Sequence, residues 1–158
     1  RGAKVASMDV STMRTFFLTA PMVYANIGRL AAENRTVEQL ECLQTAQAEF
    51  AKHTMSGDAA AASLANHRFH AVIGEMACNA YLVASLDRLL IDHTRLSQTF
   101  YRPQSDEDAA RIIQACAQHE AIISAIQRQE SDIFADTNLC FPGFMPDIQA
   151  AEMKWIIC

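Results

Sequence analysis

The sequence has little glycine and proline, with five and four residues in a chain of 158. A fold built from many short strands needs these residues in its turns, so their scarcity favours long helices. The sequence also lacks a run of 18 apolar residues, which excludes a membrane-spanning helix, and its first residues lack the apolar segment of a signal peptide. We therefore expect a helical, cytoplasmic domain that does not contact a membrane.

Positive charge is also scarce, because 13 Lys and Arg stand against 18 Asp and Glu, for a net charge of −5. Gripping a nucleic-acid backbone requires a basic surface, so this chain is not expected to bind DNA itself. The five cysteines are odd in number and widely spaced, with no C-x-x-C pair. That pattern argues against a disulfide framework and a zinc ribbon, and predicts free thiols in a reducing compartment.

Apolar residues recur every three or four positions along most of the chain, which is the period of a helix that packs on one face. The pattern predicts five long helices, at about 9–33, 36–55, 58–78, 79–100 and 105–129. Pro21 lies inside the first and is expected to kink or split it. A short last helix is expected near the end of the chain. The predicted fold is an all-α antiparallel bundle of six to seven helices.

Three of the five histidines, His70, His93 and His119, lie on the core-facing stripes of three different predicted helices. Burying an imidazole costs free energy unless its nitrogens are paired, so three such residues suggest a shared site. Asn66 precedes His70 by four residues and shares its helix face. Imidazole and amide groups are suitable ligands for zinc, nickel, iron or manganese. Buried structural histidines are an equally good interpretation of the pattern.

Four stretches together resemble the FCD domain, the ligand-binding and dimerisation half of a subgroup (the FadR subfamily) of GntR-type bacterial transcription regulators. They are "RGAKVA" at residues 1–6, "RLAAENRTVEQL" at 29–40, "NHRFHAVIGEMACNAYL" at 66–82 and "QHEAIISAI" at 118–126. The resemblance covers residues 1–133. It implies a protein that is not an enzyme, that binds a small-molecule effector, forms a homodimer and contacts DNA through an N-terminal winged-helix domain absent from this chain.

By this resemblance, residues 1–7 are the end of the winged-helix wing and the linker. Residues 8–140 are the effector-binding and dimerisation bundle. Residues 141–158 are a divergent C-terminal tail with a short helix. The chain does not begin with Met, which is expected of the downstream part of a longer protein.

The resemblance also implies a metal site, with zinc or nickel as the expected ion. Its first three ligands correspond to Asn66, His70 and His119, and its fourth, a histidine in the family, corresponds to Phe141. His93 or Cys140 could supply the fourth ligand instead. The remaining alternatives are a weak site with three protein ligands, or a vestigial site that holds water or the effector.

The effector site departs from the family as well. An Arg and a Glu that are frequent on the family's first helix correspond here to Ala20 and Tyr24. The candidates for effector binding are Tyr24, His93 and Arg95, and the expected effector is a small carboxylate or hydroxylated metabolite. Two other functions stay open. One is a metal-dependent helical-bundle enzyme with Glu75 or Glu120 as its base, and the other is a structural dimerisation domain with a degenerate pocket.

Overall fold

The computed structural model describes residues 8–135 as five α-helices and a closing 3-10 turn. They are α1 (Val10–Asn34), α2 (Val37–Ser56), α3 (Ala59–Met76), α4 (Ala80–Phe100), α5 (Asp106–Arg128) and the turn Ser131–Ala135. This part of the chain contains no strand, which confirms the all-α class. The predicted count of six to seven helices is wrong for it. The short last helix and the tail at 141–158 lie outside the described residues.

Each helix begins where a short polar side chain accepts a hydrogen bond from a backbone N–H of the first turn. The capping residues of α1 to α5 are Asp9, Thr36, Asp58, Asn79 and Ser105. At α2 the full capping box forms, because the Gln39 side chain also accepts from the Thr36 backbone N–H at 3.0 Å. These caps satisfy N–H groups that a helix leaves without an internal partner. They explain why the helix starts could be found from sequence.

The first helix is continuous through Pro21, so of the two expected effects, a kink or a split, the split does not occur. A proline in a helix interior costs about 3 kcal/mol, since one hydrogen bond is lost and the ring crowds the preceding turn. Burying one large apolar side chain contributes roughly 1.5–3 kcal/mol. Helix α1 buries Phe16 and Phe17 before the proline and Tyr24 and Ile27 after it. Packing on both sides of Pro21 therefore outweighs its cost.

Helix α1 lies against α3, α4 and α5, while α2 packs on α3 and α5. The junction between α1 and α2 is fixed to the end of α5 by Arg35. Its Nε donates to the Ile126 carbonyl at 3.1 Å and its Nη2 donates to the Gln127 carbonyl at 2.7 Å. These are carbonyls in the last turn of α5, where a cation is favoured by the helix dipole. In residues 8–135 no helix is both long and apolar enough to cross a membrane.

The 3-10 turn Ser131–Ala135 closes the bundle by packing on α1. Its Phe134 side chain is 1% exposed. A Cβ atom added at Gly28 would overlap the Phe134 ring, so the absence of a side chain at Gly28 is what allows the turn to lie this close. The contact brings Phe134 to the same end of the core as His70.

Candidate functional site

His70, His93 and His119 come from α3, α4 and α5 and meet in the core of the bundle. Each is 5–6% exposed. The ring centre of His70 lies 5.0 Å from that of His93 and 5.5 Å from that of His119. We refer to these three residues as the histidine cluster. All three side chains are buried, as the apolar stripes predict.

His93 is held by one residue at each of its ring nitrogens. A hydrogen bond of 2.7 Å joins Tyr24 Oη and His93 Nδ1. The Asn66 amide Nδ2 donates to His93 Nε2 at 3.4 Å. Because Nε2 accepts, Nδ1 carries the ring proton and donates to the tyrosine oxygen. Three of the residues singled out in the sequence, on α1, α3 and α4, are therefore in direct contact.

His119 is held by a glutamine and two aromatic rings. Its Nδ1 lies 2.8 Å from Oε1 of Gln47 on α2. Its ring stacks on Phe69, with ring centres 3.8 Å apart and planes at 10°, and lies 4.6 Å from the Phe50 ring. The stack on Phe69 fixes the plane of the imidazole, and the hydrogen bond to Gln47 fixes its rotation within that plane.

His70 lines a small cavity between α1, α3, α4, α5 and the 3-10 turn. The lining residues are Tyr24, Ile27, Gly28, His70, Ile73, Leu86, Ile122 and Phe134. The cavity volume is about 10 Å³. One water molecule needs roughly that much space, whereas ligand pockets measure roughly 300–1,000 Å³. The core as it stands has no room for a metabolite at His70.

Burial keeps all three imidazoles neutral. It lowers the pKa of His93 to about 4, with a further contribution from the charge of His67. It lowers the pKa of His119 to about 3, with a contribution from His93. The pKa of His70 also lies well below its usual value, because burial disfavours its charged form and a proton on His93, His119 or His67 would repel one on His70. A neutral imidazole offers one N–H donor and one lone pair, which is the form that binds a metal or accepts a hydrogen bond.

The donor chemistry of the cluster suits a divalent metal ion, but the side chains do not converge on one point. In residues 8–135 no group of three or more His, Cys, Asp or Glu is arranged so that it could hold a metal ion. Two imidazoles bound to one ion have ring centres roughly 5 Å apart, since a Zn–N bond is about 2.0–2.1 Å long. The His70 ring is at that separation from His93 and slightly beyond it from His119. The spacing fits an ion, and the ring orientations would have to change.

The remaining candidates lie away from the cluster or outside the described residues. Arg95 ion-pairs with Asp92, one turn earlier on α4, at 3.4 Å. Glu75 pairs with Arg68 at 3.0 Å, with both side chains more than half exposed. Cys140 and Phe141, at and beside the expected fourth ligand position, fall beyond residue 135.

Two residues of the site were missed in the sequence. Gln47 occupies the same face of α2 as the buried Leu43 and Phe50, at the spacing of a core stripe. A polar residue on such a stripe is a signal that could have been recognised. Phe134 carries no comparable signal, because it lies in a 3-10 turn after the last periodic helix.

The geometry defines a helical-bundle domain with a buried polar site. Residues 23–138 match the model of the FCD domain family. The chain belongs to this family, which is the C-terminal domain of GntR-family transcription regulators. Proteins of that class are regulators and not enzymes. No match was found among curated proteins or among solved structures.

Proposed function

We propose that this chain is the effector-sensing and dimerisation domain of a GntR-type transcription regulator of the FadR subfamily, and that its histidine cluster is the sensing site. The observation that carries the proposal is the meeting of three buried histidines from three helices, with Tyr24 and Asn66 against one of them. A core that served packing alone would be more stable if it were built from apolar residues, because burying a polar group costs free energy unless it has a hydrogen-bond partner.

The effector is a small carboxylate or hydroxylated metabolite. The tyrosine hydroxyl can donate to its oxygens, and the lone pair of a neutral imidazole can accept from an effector hydroxyl. Tyr24 and His93 are the residues assigned to these contacts. Arg95 would bind a carboxylate as a bidentate partner only after leaving Asp92. Because the cavity at His70 holds about one water, the effector must select an arrangement of the bundle that is more open.

The 3-10 turn Ser131–Ala135 is the element that such an opening would move. Phe134 fills the space next to the cavity and contacts α1 through Gly28. An effector shifts the equilibrium only by the difference in its affinity for the two arrangements. The change would pass through the homodimer to a winged-helix DNA-binding domain of the regulator, since the acidic bundle is unsuited to binding DNA itself.

The proposed site also includes a divalent ion, zinc or nickel, which Asn66, His70 and His119 would hold. His93, or Cys140 from beyond the described residues, would be the fourth ligand. Such an ion, when bound, would polarise the oxygens of a carboxylate or hydroxyl effector. The support is the neutral state of the imidazoles and their ring spacing near 5 Å.

Metal content decides this part of the proposal. The purified chain is analysed by mass spectrometry beside His70→Ala and His119→Ala, with His53→Ala as a matched control outside the cluster. We expect stoichiometric zinc or nickel in the wild type and in the control, and its loss in the two cluster variants. If no protein carries stoichiometric metal, the metal site is excluded.

A thermal-shift screen tests the effector proposal separately. Small organic acids and sugar acids are added to the wild type and to Tyr24→Phe, since a ligand that binds only the folded state raises the Tm. We expect at least one compound to raise the Tm of the wild type by more than that of the variant. The absence of any shift across the screen would leave the structural dimerisation domain as the better description.

The enzyme alternative has less support in the described residues. Glu75 lies in an exposed pair with Arg68, and Glu120 contacts Gln47 from the surface and not a histidine. Neither carboxylate is within the cluster, where a general base would have to lie.

A further inference from the structure

Gln47 has three hydrogen-bond partners, and their chemistry fixes which way its side-chain amide points. The nitrogen Nε2 lies 3.3 Å from the Cys116 carbonyl oxygen and 3.0 Å from Oε1 of Glu120. The oxygen Oε1 lies 2.8 Å from His119 Nδ1. A carbonyl and an ionised carboxylate can only accept hydrogen bonds. The amide NH₂ must therefore face these two groups.

The opposite orientation is disfavoured by electrostatics. It would place the amide oxygen against two other oxygens, and one of them belongs to a carboxylate. Gln47 is 3% exposed, so few water molecules could relieve that repulsion. The orientation of the amide, which electron density often leaves open, is settled here by its neighbours.

From this arrangement we propose that Gln47 is a positioning residue that fixes His119 in its Nδ1–H tautomer and leaves the Nε2 lone pair available to a ligand. Because the amide oxygen can only accept, Nδ1 must donate. His119 is 5% exposed and packs against the Phe69 and Phe50 rings, and such an apolar site disfavours a second proton, which would leave a buried charge. The lone pair is thus on Nε2, and the Phe69 stack holds the ring plane.

This role differs from that of an ordinary buried glutamine. A ligand that binds His119, whether a metal ion or an effector hydroxyl, meets a nitrogen acceptor and not an N–H donor. Outer-shell hydrogen bonds of this kind orient metal-binding histidines and raise their basicity. What Nε2 is used for rests on the proposed function, whereas the tautomer itself does not.

The tautomer can be measured directly by ¹⁵N–¹H correlation spectra of the 158-residue chain labelled at its imidazole nitrogens. His119 is assigned by the signals lost in His119→Asn. We expect a protonated, pyrrole-type Nδ1 and an unprotonated, pyridine-type Nε2 at neutral pH. A spectrum with the proton on Nε2, or averaged between the two nitrogens, would overturn the proposal.

A pair of matched variants shows whether Gln47 is responsible. Gln47→Met removes the acceptor and keeps a similar side-chain volume, while Gln44→Met makes the same change at an exposed site on the same helix. We expect the Nδ1–H population of His119 to fall in the first variant and to stay unchanged in the second. If both keep the wild-type pattern, another group fixes the tautomer and the proposal fails. If Gln47→Met does not fold, the wild-type spectrum still decides the tautomer.

Zinc titration then separates the two proposals. Loss of an outer-shell partner typically weakens metal binding by about 10–100-fold, and we expect that decrease for Gln47→Met. Equal zinc affinity of Gln47→Met and the wild type would show that Gln47 does not position His119 for a metal. If the wild type binds no zinc, the metal part of the proposed function fails, while the measured tautomer of His119 remains valid.

Discussion

Tyr24 and His93 lie 69 residues apart in the sequence and share a hydrogen bond of 2.7 Å in the bundle core. Position 24 is where the resemblance to the family leads one to expect a glutamate. A carboxylate there would favour a protonated imidazole, whereas a tyrosine hydroxyl pairs with a neutral one. The pair therefore agrees with a core in which burial holds the pKa of His93 at about 4.

Tyr24→Phe should lower the free energy of unfolding by about 1–3 kcal/mol, because it leaves a buried imidazole nitrogen without its partner. Urea unfolding followed by circular dichroism measures the change. Tyr81→Phe is the matched control, since Tyr81 is 88% exposed and should be nearly neutral. Equal stability of the two variants would show that the Tyr24 hydrogen bond contributes nothing.

The free energy of unfolding should fall steeply as the solution is acidified. Above a pH of about 6.5 the three histidines are neutral in both states and add no pH dependence. Between about pH 6.5 and about pH 4 these histidines bind protons in the unfolded chain, whereas His93 and His119 stay neutral in the folded chain because they are buried. Stability is then lost as the pH decreases, by up to about 4 kcal/mol per pH unit if His70 contributes equally.

Removing one histidine should reduce this slope by roughly a third. Urea unfolding of His119→Asn and of the control His53→Asn, at several pH values between about 5 and 7, provides the test. The control should follow the wild type. A slope in His119→Asn as steep as in the wild type would mean that His119 does not stay neutral on folding.

The contact between Gly28 and Phe134 should make two substitutions strongly non-additive. Gly28→Ala adds a Cβ that overlaps the Phe134 ring and should destabilise the wild type. In a Phe134→Ala background the space is open. There Gly28→Ala should stabilise the protein by about 0.5–1 kcal/mol, because alanine is a better helix former than glycine. A double-mutant cycle measured by urea unfolding gives the coupling. Independent, additive effects would show that the 3-10 turn does not pack on α1 in this way.

Phe134→Ala alone should cost about 3–5 kcal/mol, as expected for a buried phenylalanine. It should also enlarge the cavity at His70. Binding of a small apolar probe such as benzene, detected as a rise in Tm, would report the new volume. No binding to the folded variant would indicate that the core collapses around the removed ring.

Arg35→Ala should destabilise the chain by about 1–2 kcal/mol, because two carbonyls in the last turn of α5 lose a charged donor. Arg29→Ala serves as the control. Arg29 forms an exposed pair with Glu33, which should contribute no more than about 1 kcal/mol. The order of the two Tm values checks the prediction, and a larger loss in Arg29→Ala would contradict it.

The helices were predictable because their starts depend on local chemistry. Thr36, Asn79 and Ser105 cap helices in the sequence as in the structure, since a cap needs only its own next three residues. Whether α1 would be kinked or split at Pro21 stayed open in the sequence, because the packing that offsets the proline comes from other helices. Local rules cannot weigh such distant contacts.

The candidate site also has one feature that could be predicted from the sequence and one that could not. Helical periodicity placed three histidines in the core, but their partners depend on how the helices are rotated against one another. The contact of Gln47 with His119 spans 72 residues, and that of Asn66 with His93 spans 27. Arg95, a candidate for effector binding in the sequence, pairs with Asp92 on its own helix, and its contact with an effector stays a prediction.

The stack of Phe69 on His119 has a spectroscopic consequence. With the planes at 10° and the centres 3.8 Å apart, the imidazole carbon-bound protons lie in the shielding cone of the phenyl ring current. Their ¹H resonances should be displaced upfield, away from those of His53 in the surface region of α2. That displacement depends steeply on ring separation. It gives a natural signal for any opening of the core during an effector titration, without a label or an added probe.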